Sequence, residues 1–193
     1  MDRIRIFHVS MALGRRGFLG KLAAVGAGLA AACTGLAAAD GRRTLSFVHT
    51  HTGERLTAAY YDEGAYRGAV LQQVNVLLRD FRNGSVHPID PLVLDRLFLL
   101  QSVIGGSEPF QVISAYRSPA TNAALREKST GVAEHSLHME GRAIDVRLAG
   151  VATERLARLA IDQASGGVGF YRASDFVHVD TGRVRSWGDP LGA

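Results

Sequence analysis

Histidine and aspartate side chains in the second half of the chain have the types and positions of a metal site. His138 lies in a turn-like segment, and Asp145 and His178 lie in two segments rich in β-branched residues. A carboxylate on a core strand is costly to bury unless it is paired or coordinates a metal. One loop histidine, one strand carboxylate and one distant strand histidine match the ligands of a catalytic zinc, which commonly keeps a further position for water. The pattern therefore predicts a zinc site at these residues.

Each of these residues also has an ordinary explanation when it is taken singly. A strand histidine is more often a core or surface residue than a ligand, and Asp145 could form a salt bridge with Arg142 or Arg147. Gly141 favours the metal site, because it permits a tight turn between His138 and the strand that carries Asp145. The chemistry of such a site would be metal-assisted hydrolysis by a bound water.

The segments around these residues resemble a known family of hydrolases. The pattern Ser-x-His-x-x-Gly-x-Ala-x-Asp is the signature of the D-alanyl-D-alanine carboxypeptidase and dipeptidase class of zinc peptidases, which shares the Hedgehog-like fold. Its fixed positions are all present in this chain: Ser136, His138, Gly141, Ala143 and Asp145. The family's third ligand is a histidine near the C-terminus, which His178 matches. The resemblance implies that Zn²⁺ is bound by His138, Asp145 and His178.

Two further residues receive catalytic roles from this resemblance. The family places an acidic base three positions before its last ligand, where this chain has Asp175 and many members have glutamate. The family also has an arginine that contacts substrate or polarises the scissile carbonyl, and Arg117 matches it. Residues three apart on a regular strand face opposite sides, so Asp175 reaches the site only if the strand begins after it or bulges. Asp180 would either hold His178 through a hydrogen bond or compete with Asp175 as the base.

Other parts of the chain look most like one branch of this family, the murein endopeptidase K branch. The similarity covers the paired helices of the first half, the hairpin at 49–54 and the ending at 181–187. It implies an exported zinc metallopeptidase that cuts peptidoglycan stem peptides or cross-bridges, or trims a terminal D-residue, in cell-wall remodelling. A non-catalytic zinc-containing module that binds the cell wall is the alternative. His135 would lie near the substrate or be a plain surface residue.

These side chains must be positioned by a domain of the α+β class. Strand-like patterns occur at 45–49, 54–61, 110–116, 143–148, 168–171 and 176–180. Helical spacing occurs at 70–81, 91–104, 118–126 and from 153 onward. We expect N-caps at Asp90 and Thr153, a hairpin turn at 52–53 and the end of the first helix at 83–84. The pattern predicts a small, mostly antiparallel sheet with flanking helices, like the Hedgehog/DD-peptidase fold.

The first 39 residues differ from the rest and are typical of an export signal. A twin-arginine pair at 15–16 precedes an almost uncharged run at 22–39 that ends in alanines. The pair is followed by Phe-Leu and resembles signals of the twin-arginine pathway. We expect residues 1–39 to be cleaved and residues 40–193 to form one zinc peptidase domain in the periplasm or cell envelope. A retained membrane anchor and a lipid attached to Cys33 are the alternatives.

The net charge of the chain belongs to this leader. The sequence has 22 basic and 18 acidic residues, a net charge of +4 and a pI near 9.6. The leader contains five of the basic residues and one acidic residue, which leaves 17 of each after residue 39. A neutral domain argues against nucleic acid as a partner, so we expect a monomer that binds peptidoglycan peptides and meets the membrane only during export. The single cysteine excludes an internal disulfide and a Cys-clustered metal site.

Overall fold

The computed structural model describes residues 41–129 and 131–191. Within these residues the chain forms one sheet of eight strands and four α-helices. The strands are β1 Arg43–His49, β2 Arg55–Asp62, β3 Ala65–Tyr66, β4 Phe110–Ser114, β5 Ala143–Leu148, β6 Gly167–Tyr171, β7 Phe176–Asp180 and β8 Arg185–Gly188. The helices are α1 Gly68–Leu77, α2 Pro91–Ile104, α3 Pro119–Lys128 and α4 Thr153–Asp162.

The strands are ordered β3-β2-β1-β4-β5-β7-β6-β8 across the sheet. Most neighbouring strands are antiparallel, whereas β1 pairs with β4 and β6 pairs with β8 in parallel. The prediction of an α+β domain with a mostly antiparallel sheet is confirmed. The sheet has more strands than the sequence pattern indicated, because the two-residue β3 and the C-terminal β8 extend its edges.

The hydrophobic core lies between the sheet and the helices. Alternate residues of the central strands enter it, among them Val112, Val146 and Val177, each without exposed surface. Helices α1, α2 and α4 supply the opposing apolar side chains, including Leu97 and Leu156. The central strands β5 and β7 are therefore rigidly packed on one face, and their other face is free to present polar side chains.

Several element ends were predicted by their capping residues. Asp90 Oδ1 accepts a hydrogen bond from the backbone N–H of Leu92 at 3.0 Å and caps α2, which ends at Gly105 with a φ of 76°. Ser118 caps α3 by accepting from the backbone N–H of Thr121 at 3.2 Å. The hairpin between β1 and β2 is also present at the predicted turn.

Two predicted helix ends are wrong. Helix α1 ends at Leu77 and not near 83–84, because the turn that follows is held by Asp80, whose carboxylate accepts hydrogen bonds from the backbone N–H groups of Arg82 and Ser118. The N-cap of α4 is Ala152 and not Thr153, whose hydroxyl makes a tertiary contact instead. Both differences arise from contacts with residues that are distant in sequence.

The predicted export signal at 1–39, with Cys33, lies outside the residues that the structure describes. It therefore stays a prediction. Within residues 41–129 and 131–191, none of the helices is both long and apolar enough to cross a membrane.

Candidate active site

Three ligand-type atoms lie together on β5, β7 and the turn that precedes β5. Asp145 Oδ1 lies 2.9 Å from His178 Nδ1 and 3.3 Å from His138 Nε2, and the two ring nitrogens are 3.1 Å apart. Two atoms bound tetrahedrally to one zinc ion at ~2.05 Å would be roughly 3.3 Å apart. The structure thus brings the three predicted ligands together, all of them buried, at spacings that suit one small cation.

Strand pairing places Asp145 and His178 side by side. Strands β5 and β7 are antiparallel, and Asp145 is directly opposite His178 in their register. The adjacent residues Val146 and Val177 also pair and point into the hydrophobic core. Because side chains alternate along a strand, the two ligands project from the opposite face of the sheet.

A short 3₁₀ helix, Leu137–Glu140, brings His138 to the same place. Ser136 begins it, and its hydroxyl accepts a hydrogen bond from the backbone N–H of His138 at 3.4 Å. Gly141 ends it in the left-handed region with a φ of 66°, where a Cβ atom would collide with the carbonyl oxygen of Pro88. The spacing of serine, histidine and glycine in the motif therefore has a physical basis in this turn.

Hydrogen bonds on the outer sides of both rings determine which nitrogens face the cluster. With a proton on the outer nitrogen, His138 Nδ1 donates to the carbonyl oxygen of Ala115 at 2.6 Å, and His178 Nε2 donates to Asp180 Oδ2 at 3.1 Å. His138 Nε2 and His178 Nδ1 then present lone pairs toward Asp145. Metal-binding histidines are typically oriented in this way, so the donor set fits a metal ion.

Asp180 is itself held by several donors. Its Oδ1 accepts from the backbone N–H groups of Gly167 at 3.0 Å and Gly182 at 2.8 Å. Arg185 donates to both carboxylate oxygens, at 3.1 and 2.7 Å. Asp180 has no exposed surface. Since both oxygens are engaged, the structure favours Asp180 as the partner that holds His178 over Asp180 as a base.

Opposite charges offset the cost of burying these groups. Burial by itself raises the pKa of Asp145, but the neighbouring imidazoles of His138 and His178 outweigh it and hold that pKa below its usual value. Burial lowers the pKa of His178, but hydrogen bonds to Asp145 and Asp180 outweigh it and raise that pKa overall. A bound cation would replace the ring protons as the positive charge that compensates Asp145.

Arg117 is the half-buried cation beside the cluster. Its backbone N–H donates to the carbonyl oxygen of His138 at 3.1 Å, which ties its segment to the ligand turn. Its Nη1 is 3.4 Å from Asn122 Oδ1, and its buried Nε has no hydrogen-bond partner among the described residues. Burial lowers the pKa of Arg117, and the negative charge of Asp145 opposes this shift. A guanidinium with unused donors suits an anionic group of a ligand.

Ser114 is a site residue whose position the sequence pattern did not reveal. A register irregularity in β4 between Val112 and Ser114 places Ser114 directly opposite Asp145. Regular alternation would have put Ser114 on the core side, with Val112. Its buried hydroxyl has no hydrogen-bond partner among residues 41–129 and 131–191. The only sequence signal was its place at the start of the segment that carries Arg117.

The carboxylate of Asp175, the predicted base, is bound by two other side chains in this structure. Asp175 precedes β7 with a φ of 52°, in the left-handed region, and this turns its side chain toward α4. Its carboxylate accepts hydrogen bonds from Thr153 Oγ1 at 2.6 Å and Arg147 Nη1 at 3.1 Å. It borders a separate pocket with Gln111 and is not among the described residues that line the cleft of the ligands. In this structure the Asp175 carboxylate is thus bound by Arg147 and Thr153, and its role as the base stays a prediction.

The cluster opens into a cleft of about 530 Å³. The cleft is lined by most residues of segment 131–138 and Arg117, and by the aromatic side chains of Tyr171, Phe176 and Trp187. His135 is exposed within the lining segment and is not part of the cluster of ligand atoms. A cleft of this size can hold a short peptide beside the three ligands.

Comparisons with known proteins identify the family of this chain. A family model described as Peptidoglycan L,D-endopeptidase MepK matches residues 37–187. The Peptidoglycan L,D-endopeptidase MepK of Escherichia coli K12 is 41% identical over 145 residues, which cover 75% of this chain and 80% of that protein. The Probable peptidoglycan L,D-endopeptidase MepK of Haemophilus influenzae is 40% identical over 146 residues, which cover 75% of this chain and 78% of that protein.

Proposed function

The chain belongs to the peptidoglycan L,D-endopeptidase MepK family, and on that basis we propose that it is a metal-dependent peptidase that hydrolyses peptide bonds of peptidoglycan. The observation that carries this proposal is the cluster of His138, Asp145 and His178 beside an open cleft. Structural zinc sites usually close with four protein ligands, whereas catalytic sites keep a position open. Three ligand residues that border a peptide-sized cleft therefore favour hydrolysis.

We assign Zn²⁺ to this cluster. Two imidazoles and one carboxylate are a donor set that zinc commonly takes in peptidases. When it is bound, zinc polarises the scissile carbonyl and makes a water molecule more acidic. The outer hydrogen bonds of His138 to Ala115 and of His178 to Asp180 hold both rings in the orientation that binding requires.

Arg117 is the residue that we expect to stabilise the negative charge that develops on the peptide carbonyl. The backbone of its segment is held at the ligand turn by the hydrogen bond to the carbonyl oxygen of His138, which keeps the side chain at the edge of the cleft. The donors that it leaves unused are available to the reacting oxygen. A fixed donor of this kind is typically worth ~10²–10³ in kcat.

The proton released by the attacking water must pass to a side chain of the cleft. Asp175 is engaged by Arg147 and Thr153, and Asp180 is engaged by Arg185. His135 lines the cleft with no hydrogen-bond partner in the part of the chain that the structure describes. Its imidazole is therefore available for proton transfer, in place of the carboxylate that the motif predicted.

The relatives supply the class of bond and the location. Their names state L,D-endopeptidase activity on peptidoglycan, and we propose that this chain cuts an L,D bond in the peptide cross-bridges. Peptidoglycan lies outside the cytoplasmic membrane, so the enzyme must be exported to reach it. We propose the twin-arginine pathway as the route, with cleavage after Ala39 releasing residues 40–193.

Product analysis tests this function. The exported form, loaded with Zn²⁺, is incubated with purified cross-linked peptidoglycan fragments, and the products are identified by mass spectrometry. We expect new peptide ends at an L,D bond, their loss after chelation and their return when Zn²⁺ is added. The variant Asp145→Asn is the matched inactive control. Fragments that are bound but stay intact would support the wall-binding module instead.

A further inference from the structure

We propose that Trp187 is a substrate-binding platform, whose exposed ring packs against an uncharged aliphatic part of the peptide beside the metal cluster. The inference rests on the proposed function and deepens it, since it assigns a specificity-determining contact to a residue outside the cluster.

Trp187 lies within the cleft and next to a ligand. Strands β6 and β8 are parallel, and their register places Trp187 opposite Gly169. The indole ring centroid is 5.1 Å from the ring centroid of His178. The side chain lines the cleft and keeps 36% of its surface exposed, although both nearby strands β6 and β7 are almost entirely buried. A peptide bound at the cluster must therefore pass this ring.

The ring is held in one orientation although it is exposed. Its Nε1 donates to Tyr171 Oη at 2.8 Å, and the guanidinium of Arg185 lies over the ring at 4.6 Å from its centroid. Arg185 is fixed in turn by both oxygens of Asp180. Gly169 permits the close approach of the ring to β6, because a Cβ atom there would be only 2.8 Å from the indole. A rigid aromatic surface loses little entropy when it binds a ligand.

The open surface of the ring suits an aliphatic group. An indole buries a large apolar area, and a fixed aromatic ring in a pocket is a typical anchor for binding. Arg185 already occupies a position over the ring, and Arg117 lines the same cleft, so a further cation is disfavoured there. The occupant with matching chemistry is the methylene chain or methyl group of a cross-linked peptide, whose side-chain amine is neutral once it is part of an amide bond.

The chain has one tryptophan, which makes this inference directly measurable. Tryptophan emission of the zinc-loaded enzyme reports on the cleft alone. Rapid mixing with a purified cross-linked peptidoglycan dimer should change the emission before products appear, and the change should saturate with dimer concentration. Emission that stays constant up to saturating dimer would overturn the inference.

Kinetics of two substitutions provide the second readout. We expect Trp187→Ala to raise KM about tenfold or more while kcat changes less than about threefold, and Trp187→Phe to have a smaller effect, since it keeps an aromatic surface. Val103→Ala on α2 is the matched control, because it also removes an exposed apolar side chain, at 66% exposure. Melting curves and the zinc content of each variant establish that the fold and the cluster are retained.

The outcomes separate this inference from the proposed function. If the wild type cleaves the dimer and Trp187→Ala has unchanged kinetic constants, the platform is wrong and the peptidase assignment holds. If Trp187→Ala loses zinc and kcat falls while KM is unchanged, the ring only supports His178, and the platform is again wrong. If the wild type cleaves no fragment, the function fails, and the emission titration still decides whether the ring binds peptide.

Discussion

His178 is fixed from both sides: its Nε2 lies 3.1 Å from Asp180 Oδ2, and its Nδ1 lies 2.9 Å from Asp145 Oδ1. The first contact orients the ring, and the second places the ring nitrogen among the proposed ligands. Because Arg185 and the backbone N–H groups of Gly167 and Gly182 also bind Asp180, the orientation of the His178 ring depends on a network that joins β6, β7 and β8. Through this one carboxylate, strand packing is connected to the ring that we propose as a metal ligand.

We predict that Asp180→Asn weakens zinc binding without removing a ligand. The amide keeps the shape of the side chain but lowers the basicity that Asp180 confers on His178. Loss of such a hydrogen-bond partner typically weakens metal binding by ~10- to 100-fold. Competition with a chromophoric chelator measures the change. The control is Asp162→Asn at the exposed end of α4. Equal affinities of Asp180→Asn and wild type would contradict the role given to Asp180.

We predict that Asp175→Asn keeps kcat within about threefold of the wild type, since Asp175 binds Arg147 and Thr153 and does not line the cleft. A general base that is lost typically costs ~10²–10⁴ in rate. Steady-state cleavage of a peptidoglycan dimer measures this. The companion variant His135→Gln should lower kcat more than Asp175→Asn does. The reverse order would restore Asp175 as the base, after a rearrangement that brings it into the cleft.

We predict that Asp80→Asn destabilises the fold by ~1–3 kcal/mol. The buried carboxylate accepts hydrogen bonds from the backbone N–H groups of Arg82 and Ser118, and in the variant an amide nitrogen would face one of those donors. Urea unfolding at pH 7 measures the loss. Because Asp80 holds the backbone of Ser118, which directly follows Arg117, we expect kcat to fall together with the stability. An unchanged free energy of unfolding would show that these hydrogen bonds contribute nothing net.

The difference in stability between the wild type and Asp80→Asn is also expected to depend on pH. Burial raises the pKa of Asp80, but hydrogen bonds from Thr121 and Ser118 outweigh it and the pKa is lowered overall. Its stabilising contribution is therefore complete above its unfolded-state pKa of ~3.9 and is lost as the pH falls through the lower folded-state pKa. The stability difference between wild type and Asp80→Asn should shrink when unfolding is measured near pH 3. A constant difference would contradict the lowered pKa.

We predict that Gly141→Ala is far more harmful than an ordinary glycine substitution. Gly64 has a comparable positive φ of 77° with no atom near its Cβ position, so Gly64→Ala measures the left-handed strain alone, ~1–2 kcal/mol. At Gly141 the new methyl group would also collide with Pro88 and displace the turn that carries His138. Thermal unfolding and zinc affinity should both fall further in Gly141→Ala. Equal effects in the two variants would mean that the close approach is not needed.

The sequence predicted the parts of the site that depend on local structure. His138, Asp145 and the glycine between them belong to one turn and strand, and their spacing alone indicates the geometry. The match of His178 to the family's last ligand supplied the third member. The α+β class, the hairpin and the caps at Asp90 and Ser118 were predictable for the same reason, since each depends on residues close in the chain.

The remaining parts depend on contacts between distant segments. Thr153 does not cap α4, because its hydroxyl donates a hydrogen bond to Asp175. The positive φ of Asp175 that permits this contact has no clear signal in a single sequence. The bulge that turns Ser114 toward Asp145 and the parallel pairing that places Trp187 in the cleft follow from sheet register. Sequence periodicity does not specify register between strands that are far apart.

The central claim is that His138, Asp145 and His178 form the catalytic metal site, and a zinc titration tests it most directly. Chelated enzyme is titrated with Zn²⁺ while cleavage of a cross-linked peptidoglycan dimer is followed. We expect activity to rise in proportion to zinc and to level off at one equivalent per chain, whereas Asp145→Asn should show neither the tight equivalent nor the activity. Full activity of the metal-free enzyme, or an unchanged titration of Asp145→Asn, would contradict the account.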